Sequence, residues 1–303
     1  MMSDASPGTL VLPAHAKLNV SLRVLAREES GFHSVETVLL RLELADRIEL
    51  ETTVEPGIHL EVTGDASVPA DDRNLCWRAA SALHQHAGRE GGTRIRLHKN
   101  IPAGAGLGGG SADAAAVLRG LNEAWGRPLK GSALLSLAGE LGSDVPFGLC
   151  GSPMVLAWER GRRMLPLAAP RSLPVLVVVP GYPIGAGEAY GWLAEDRTAG
   201  LVSPPGPCLH PGPAEFSNWS ALESLAVNDL EEPVFRRHPE LAEIRETLAN
   251  LGAAIAILCG SGSCVAGVFR DAKARDRAAE ELQGVDGLSA LRTRTLERDG
   301  LVG

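Results

Sequence analysis

The sequence predicts a two-domain protein of the α+β class, and three observations support this. The chain has 303 residues, which at roughly 150 residues per domain indicates about two domains. Hydrophobic residues make up 45% of it, enough to bury real cores. Strand-like and helix-like segments alternate, and the second half is typical of helices packed on an antiparallel sheet. We place the change of domain around Pro170, which gives predicted domains of residues 1–170 and 171–303.

In the first half, aliphatic runs predict strands and apolar residues at helical spacing predict helices. The predicted strands are Thr9–Leu12, Leu18–Leu25, Val35–Leu44, Asp46–Thr52, Ile58–Val62, Thr93–His98 and Pro153–Trp158. The predicted helices are Asn74–His86, Ser111–Trp125 and Ser132–Leu141. Ser132 is a residue type that commonly caps a helix N-terminus, so we expect it to be the N-cap of the last of these.

The second half follows the same logic. Its predicted strands are Leu173–Val179, Ala253–Leu258, Val265–Phe269 and Leu288–Thr293, and its predicted helices are Glu240–Leu251 and Asp271–Leu282. Between them, Thr198–Ser217 contains five prolines. Because proline interrupts both helices and sheets, we expect this segment to be a long surface loop.

Composition excludes several classes of function. The formal net charge is −8, which argues against broad binding to DNA or RNA. The longest apolar runs are strand-sized and far short of a membrane span. The five cysteines show neither a C-x-x-C motif nor zinc spacing, which favours buried free thiols. No signal peptide is visible, so we expect a cytoplasmic protein without membrane or nucleic-acid partners.

The most informative segment is a glycine loop that leads into an Ala-rich helix. Backbone N–H groups of glycines can turn toward a ligand, and a helix N-terminus adds unpaired donors, so together they suit phosphates. A flexible linker is the alternative. Walker A is absent, and the match of Gly104, Gly106 and Gly109 to a dinucleotide fingerprint is weak, because no strand runs into the first glycine. The expected phosphate-binding residues are Pro102, Ala103, Gly104, Ala105, Gly106, Leu107, Gly108, Gly109, Gly110, Ser111 and Ala112.

Three ordered motifs carry a family resemblance. The loop P-x-x-x-G-L-G-G-G-S resembles the phosphate loop of the GHMP small-molecule kinases, such as galactokinase, homoserine kinase and mevalonate kinase. The N-terminal segment 14–20 and the C-terminal segment 259–264 resemble two further motifs of that superfamily. The resemblance implies the two-domain GHMP kinase fold, with a ribosomal-protein-S5-like N-terminal domain and a ferredoxin-like C-terminal domain. It also implies ATP as co-substrate, with Mg²⁺ expected and its protein ligands unknown.

Four shorter segments narrow the resemblance to one branch of the superfamily. They are Ala16–Asn19, Gly31–His33, Gly142–Phe147 and Asn228–Glu231. They look like the family that phosphorylates 4-diphosphocytidyl-2-C-methyl-D-erythritol in the non-mevalonate isoprenoid pathway. That family implies a small-molecule cytidine diphosphate substrate, phosphorylated on its 2-hydroxyl group. It indicates nothing about oligomeric state.

Two residues are the catalytic candidates. Asp144 is placed by the resemblance as the base that accepts the proton of the substrate hydroxyl, and a helix N-cap is the alternative for it. Lys17 is expected beside Asp144, where an ammonium would neutralise charge on the transferring phosphoryl group. Asn19 is two residues from Lys17 and so shares its face of an extended strand. We expect Asn19 to orient the substrate by a hydrogen bond, with a structural turn contact as the alternative.

The remaining candidates surround the two ligands. By resemblance, Asn74, Leu75 and Lys99 line the adenine side. We expect Ser111 to cap the loop helix and reach a phosphate or Mg²⁺, and Asp113, in the first helical turn, to favour the helix dipole. Residues Gly260, Ser261 and Gly262 resemble a second glycine turn on the substrate side, although such a turn could simply join two strands.

The cytidine end of the substrate is assigned by resemblance to Phe32, His33 and Tyr190. An imidazole can hydrogen-bond the edge of the base while aromatic rings stack on its faces. Phe32 stands where the family commonly has Tyr, and Ala186 where Thr is common, so two hydroxyl groups are missing. The alternative functions are another GHMP kinase of the homoserine or mevalonate type, or a catalytically inactive nucleotide-binding regulator. The presence of both Lys17 and Asp144 argues against the latter.

Overall fold

The computed structural model describes residues 8–27, 33–159, 161, 163–203 and 216–297. Phe32, Cys208 and most of the predicted proline-rich loop lie outside these ranges. The strands are β1 Leu10–Arg27, β2 His33–Thr53, β3 Gly57–Thr63, β4 Gly92–His98, β5 Met154–Trp158, β6 Arg163–Leu167, β7 Pro174–Pro180, β8 Val227–Asn228, β9 Ala253–Leu258, β10 Val265–Phe269 and β11 Leu288–Arg294. The helices are α1 Leu75–Ala87, α2 Gly109–Ala124, α3 Gly131–Leu141, α4 Val145–Leu149, α5 Ala186–Thr198, α6 Trp219–Leu225, α7 Glu231–Arg237, α8 Pro239–Asn250 and α9 Ala272–Glu281.

The described residues divide into two compact units. Unit 1 takes in residues 8–16, Leu44–Ala103 and Gly108–Gly151, and unit 2 takes in Lys17–Glu43, Gly104–Leu107 and the described chain from Ser152 onward. Strands β1 and β2 contribute residues to both units. Because each unit is discontinuous in sequence, the domain boundary near Pro170 stays a prediction.

The core of unit 1 is formed by the Ala-rich helix α2 and the strands it covers. The second half of β2 pairs antiparallel with β4, from Arg47 opposite His98 to Thr53 opposite Gly92, and β4 pairs parallel with β3. Side chains from α1, α2 and α3 pack with the inward residues of these strands in one apolar cluster. Alanines allow close helix packing, and residues 114–118 of α2 are all buried.

Unit 2 contains a four-stranded antiparallel sheet whose order is β11-β7-β10-β9. Helix α8 packs on β9 and β10, and helix α9 packs on β7 and β10. This strand order, with helical crossovers from β7 to β9 and from β10 to β11, is that of the ferredoxin-like split βαβ arrangement. The predicted ferredoxin-like fold is therefore confirmed. In the same unit, the first half of β2 pairs with β5, β5 pairs with β6, and β1 pairs parallel with β8 at Ser21 and Leu22.

Several predicted boundaries are wrong for identifiable reasons. The first four predicted strands are two long ones. Ala14 and Ala16 continue the inward-facing row of β1 across the first predicted break, and Asp46 continues that of β2 after the second. Helix α2 begins at Gly109 with Gly108 as its N-cap, two residues earlier than predicted, and α3 begins at Gly131 after Lys130, so Ser132 is not its cap.

Six described elements were not predicted from the sequence. They are β6, α4, α5, α6, α7 and β8. Most are short, and α5 contains Gly187 and Gly191, which are poor helix formers that mask its periodicity. None of the helices in the described part of the chain has the length and apolarity that crossing a bilayer requires.

A glycine in α4 provides a test of this packing. A Cβ atom added at Gly148 would lie 2.4 Å from Cβ of Ala115 on α2, and an alanine Cβ can move only with its backbone. We expect Gly148→Ala to lower the free energy of unfolding by about 1–3 kcal/mol, measured by urea denaturation. Gly139→Ala in α3, where nothing lies within 4 Å, is the control and should be stabilising by roughly 0.5–1 kcal/mol. Equal effects of the two substitutions would contradict the packing.

Candidate active site

Strand β1 presents a buried polar row at the start of unit 2. Lys17 Nζ donates to Asn19 Oδ1 over 2.6 Å, and Asn19 Nδ2 donates to Thr37 Oγ1 of β2 over 2.8 Å. The Thr37 hydroxyl in turn donates to the Ser21 carbonyl oxygen over 2.6 Å. All four residues are at most 7% exposed. The structure thus brings together Lys17 and Asn19, and Thr37 is a partner that the sequence did not indicate.

Two glycine turns of unit 2 approach this row. The N–H of Lys17 donates to the Leu107 carbonyl over 2.9 Å, which ties the glycine loop to β1. Gly106 has φ +75°, and a Cβ atom there would lie 1.7 Å from the Cys259 carbonyl oxygen. Gly260 has φ +54°, and its Cβ atom would lie 2.9 Å from the Gly106 carbonyl oxygen and 3.0 Å from Lys17 Nζ. Only glycine fits at either position.

The second glycine turn joins β9 to β10 and is held by the Asn228–Glu231 segment. Asn228 Nδ2 donates to the carbonyl oxygens of Leu258 and Gly260, at 3.0 and 2.7 Å. Glu231 Oε1 accepts from the Leu258 N–H over 2.9 Å. The turn is closed by a hydrogen bond from the Gly262 N–H to the Cys259 carbonyl over 2.8 Å, with Ser261 at its tip. The sequence indicates this segment as a motif, but it does not indicate the anchoring role of Asn228.

The rest of the glycine loop belongs to unit 1 and forms the N-terminus of α2. Gly109, Gly110 and Ser111 are its first three residues, and the first intrahelical bond runs from the Ala112 N–H to the Gly108 carbonyl, at 2.9 Å. The preceding three N–H groups have no partner within the helix, which is the property an anion site needs. Ser111 was predicted to be the cap of this helix, but it lies in the first turn, so that prediction is wrong. Pro102 and Ala103 precede the loop.

A buried cluster of charged groups connects the two ends of the loop. Lys99 Nζ donates to Asp113 Oδ2 over 2.7 Å and also to a carboxylate oxygen of Asp46. Asp46 Oδ1 accepts from the N–H groups of Asn100 and Ile101, at 2.6 and 2.8 Å. These bonds fasten the end of β4 to α2. Asp113 was expected in the first turn of α2 for the helix dipole; it lies one turn further in and is buried against Lys99 instead.

The electrostatics of this cluster follow from burial and charge pairing. Burial raises the pKa of Asp113 to about 8, with the Asp46 carboxylate adding to the effect and Lys99 opposing it. Burial would lower the pKa of Lys99, but the Asp113 and Asp46 carboxylates outweigh it, so this pKa is raised. Two carboxylates that share one site do not both ionise readily. The cluster therefore retains a proton on Asp113 around neutral pH while Lys99 stays an ammonium.

The two other residues predicted on the adenine side have clear local positions. Asn74 is the N-cap of α1: its Oδ1 accepts from the Cys76 N–H over 2.8 Å, and its Nδ2 donates to the Pro69 carbonyl over 2.7 Å. The backbone thus engages both ends of the Asn74 amide. Leu75 Cδ1 lies 3.7 Å from where a Cβ atom of Gly110 would be, so its side chain borders the glycine loop. Contact of Asn74, Leu75 and Lys99 with adenine stays a prediction.

Asp144 stands at the N-cap position of α4, in unit 1. Its side chain makes no capping hydrogen bond to that helix. Asp144 therefore occupies the N-cap position, as the alternative proposed, but its carboxylate does not cap the helix. Helix α4 packs on α2 through Gly148, which fixes Asp144 relative to the loop helix. The predicted proximity of Asp144 to Lys17 stays a prediction.

The structure brings together two of the three residues assigned to the cytidine end. The rings of His33, at the start of β2, and Tyr190, in α5, stack with centroids 5.3 Å apart and an interplanar angle of 24°. This is the spacing of a direct stacked pair, so each ring orients the other. Phe32 lies outside the described residues.

Four of the five cysteines lie within the described residues. Among the described residues, Cys76, Cys150, Cys259 and Cys264 form no disulfide. Burial raises the pKa of Cys259, beside the second glycine turn, to about 12, so this thiol stays protonated. Within the described ranges, no group of three or more His, Cys, Asp or Glu side chains is arranged to hold a metal ion.

Comparison with known proteins identifies the family. Residues 74–152 match the model of the GHMP kinases N terminal domain, and residues 214–285 match that of the GHMP kinases C terminal domain. A 4-diphosphocytidyl-2-C-methyl-D-erythritol kinase from Geobacter sp. (strain M21) is 37% identical, with 95% of this chain and 99% of the relative covered. One from Synechococcus sp. (strain JA-3-3Ab) is 38% identical, with 91% of each chain covered. The chain belongs to the 4-diphosphocytidyl-2-C-methyl-D-erythritol kinase family of GHMP kinases.

Solved structures agree with this assignment to the GHMP kinases. A crystal structure of 4-(cytidine 5'-diphospho)-2C-methyl-D-erythritol kinase is 36% identical and has a TM-score of 0.77, covering 94% of this chain and 99% of the other. A homoserine kinase from Cytophaga hutchinsonii shares the fold at 17% identity, with a TM-score of 0.71 and coverage of 99% and 98%. The predicted GHMP kinase fold of the α+β class is confirmed.

The buried cluster of this GHMP kinase predicts a pH dependence of stability. Asp113 holds its proton in the folded chain up to about pH 8 but releases it near pH 4 when unfolded. The contribution of Asp113 to the free energy of unfolding is therefore complete below about pH 4. It is lost as the pH rises to about 8, at up to about 1.4 kcal/mol per pH unit. We expect Asp113→Asn to remove this component from the free energy of unfolding, measured by urea denaturation at several pH values. Asp72→Asn makes the same side-chain change on the surface, outside the cluster, and is the control. Identical pH slopes in the wild type and Asp113→Asn would refute the retained proton.

Proposed function

We propose that this chain transfers the γ-phosphoryl group of ATP to a hydroxyl group of 4-diphosphocytidyl-2-C-methyl-D-erythritol, namely the 2-hydroxyl. The observation that carries the proposal is the buried Lys17–Asn19 pair beneath two glycine turns in unit 2. Relatives named for this activity align with more than 90% of the chain, which supports the choice of substrate. ATP is the co-substrate that membership of the GHMP kinases implies.

Lys17 has the environment that a phosphoryl-binding ammonium needs. It is 7% exposed, and the Asn19 amide that it binds is neutral. The other buried lysine, Lys99, bonds two carboxylates. An ammonium beside two glycine turns can stabilise the negative charge that spreads over the oxygens of a transferring phosphoryl group. We assign this role to Lys17, and we assign to Lys99 the cohesion of the loop.

The phosphates of the nucleotide are assigned to the N-terminus of α2. The N–H groups of Gly109, Gly110 and Ser111 and the positive end of the helix dipole suit an anion. Mg²⁺ in kinases is held largely by substrate phosphates and one or two carboxylates, and the Ser111 hydroxyl is our proposed protein contact near it. Asp144 is our proposed base, which accepts the proton of the attacking hydroxyl. Phosphoryl transfer demands little covalent chemistry of the protein, so these groups act by position and charge.

The cytidine end of the substrate is assigned to the His33–Tyr190 stack. A stacked imidazole has a defined orientation, so its ring nitrogen can read one edge of a base. The 2-C-methylerythritol end is assigned to Asn19 and to the turn of residues 260–262, which lie beside Lys17. This arrangement would direct the hydroxyl toward the phosphoryl group that Lys17 holds.

The role of Asp144 is tested by a substitution that keeps its shape. We expect Asp144→Asn to lower kcat by about 10²-fold or more, because an amide cannot accept the hydroxyl proton, while ATP affinity measured by calorimetry stays near that of the wild type. Turnover is measured as ADP formed with 4-diphosphocytidyl-2-C-methyl-D-erythritol. Glu140→Gln, on the surface of α3, removes a carboxylate from a nearby element and should leave kcat unchanged. Turnover by Asp144→Asn equal to that of the wild type would reject Asp144 as the catalytic base.

Exchange of the nucleobase in the substrate tests the assignment of the substrate. Cytosine has an amine where uracil has a carbonyl, so a site that bonds one leaves a buried polar group unpaired with the other. Such a group costs about 1–3 kcal/mol, so kcat/KM should be roughly ten- to a hundredfold lower for the uridine analogue. We expect His33→Ala to erase most of this preference and Tyr190→Ala to weaken binding of both substrates through lost stacking. A wild type indifferent to the base, or one that prefers homoserine or mevalonate, would overturn the cytidine assignment but leave the fold standing.

A further inference from the structure

The hydrogen-bond chain beneath Lys17 can run in only one direction. At one end, the Ser21 carbonyl oxygen can only accept, and it takes the single proton of the Thr37 hydroxyl. Thr37 Oγ1 must then accept from the next group, and it does so from the NH₂ of Asn19. The carbonyl oxygen of Asn19 is thereby turned to the Lys17 ammonium, which can only donate. A fixed acceptor at one end and a fixed donor at the other define the whole chain.

Thr37 is the residue on which this order depends. An asparagine amide can rotate by half a turn about its last bond with almost no change of shape, because its oxygen and nitrogen are similar in size. In the rotated state its NH₂ would face the Lys17 ammonium, and two donors would oppose one another. The Thr37 hydroxyl disfavours that state, since its own proton is already committed to Ser21. Burial of all these groups, each at most 7% exposed, keeps water from taking over the role.

We propose that Thr37 is a positioning residue, which sets the Asn19 amide and through it the Lys17 ammonium for phosphoryl transfer. The proposal rests on the role of Lys17 in the proposed function. Thr37 touches neither ligand in this scheme; it acts through Asn19. Its loss should therefore lower kcat, because Lys17 is no longer held where the phosphoryl charge develops, and should leave ATP affinity largely intact.

The first experiment removes the hydroxyl and keeps the shape. Thr37→Val should lower kcat about tenfold or more, with KM for ATP within about twofold of the wild type, whereas Thr37→Ser, which keeps the hydroxyl, should retain most of kcat. The control is Thr93→Val, because Thr93 is also fully buried and its hydroxyl bonds a side chain, His84, at 2.9 Å. Thr93→Val should lose comparable stability and keep its kcat. If Thr37→Val does not fold, Thr37→Ala takes its place.

The second experiment tests whether Thr37 acts through Asn19. In a double-mutant cycle, Thr37→Val should have little further effect on kcat once Asn19→Ala is present, because the relay is already broken. Additive effects, or loss of kcat in Thr37→Ser equal to that in Thr37→Val, would overturn the proposal. Its failure is distinguishable from that of the proposed function: a wild type inactive on 4-diphosphocytidyl-2-C-methyl-D-erythritol rejects the function, whereas an active wild type matched by Thr37→Val rejects only the role of Thr37.

Discussion

Two backbone turns of this protein lie so close together that neither can carry a side chain. A Cβ atom at Gly106 would overlap the carbonyl oxygen of Cys259, and one at Gly260 would press on the Gly106 carbonyl and on Lys17. At Gly260 the backbone therefore lies next to the Lys17 ammonium with no side chain of its own in between. Asn228 holds one of these turns from behind, and the bond from the Lys17 N–H to the loop holds the other. Much of the candidate site in unit 2 follows from this approach.

The protein buries two lysines, Lys17 and Lys99, and the two have different hydrogen-bond partners. Burying a charge is costly unless it is paired and hydrogen-bonded. Lys99 meets that cost with two carboxylates, and the result is a cohesive cluster that fastens a strand end to the loop helix. Lys17 donates to the neutral Asn19 amide, and we propose that its ammonium meets the transferring phosphoryl group. In this proposal, the same residue type serves structure at Lys99 and chemistry at Lys17.

Phosphoryl transfer explains why so much of this site consists of positioning. The reaction needs an ordered hydroxyl, a base and compensation of negative charge, and it needs no covalent participation by the protein. Directional hydrogen bonds supply that order, because along the row from Ser21 to Lys17 each donor meets an acceptor. The His33–Tyr190 stack fixes the orientation of the ring that we propose as the reader of the nucleobase. Rigid local networks of this kind fit a small-molecule kinase of the GHMP type.

The sequence by itself determined the local features of the structure, which depend only on residues that are close along the chain. The bounds of β9 and β10 followed from local apolar runs, the glycine loop from its composition, and the shared face of Lys17 and Asn19 from the two-residue period of a strand. It also indicated the family, because the motifs are local. Only the tertiary structure decided which distant groups meet: Lys99 with Asp46, and Thr37 with Asn19. Those contacts depend on how strands and helices pair across long stretches of chain, and the periodicity of a single segment carries no information about its partner.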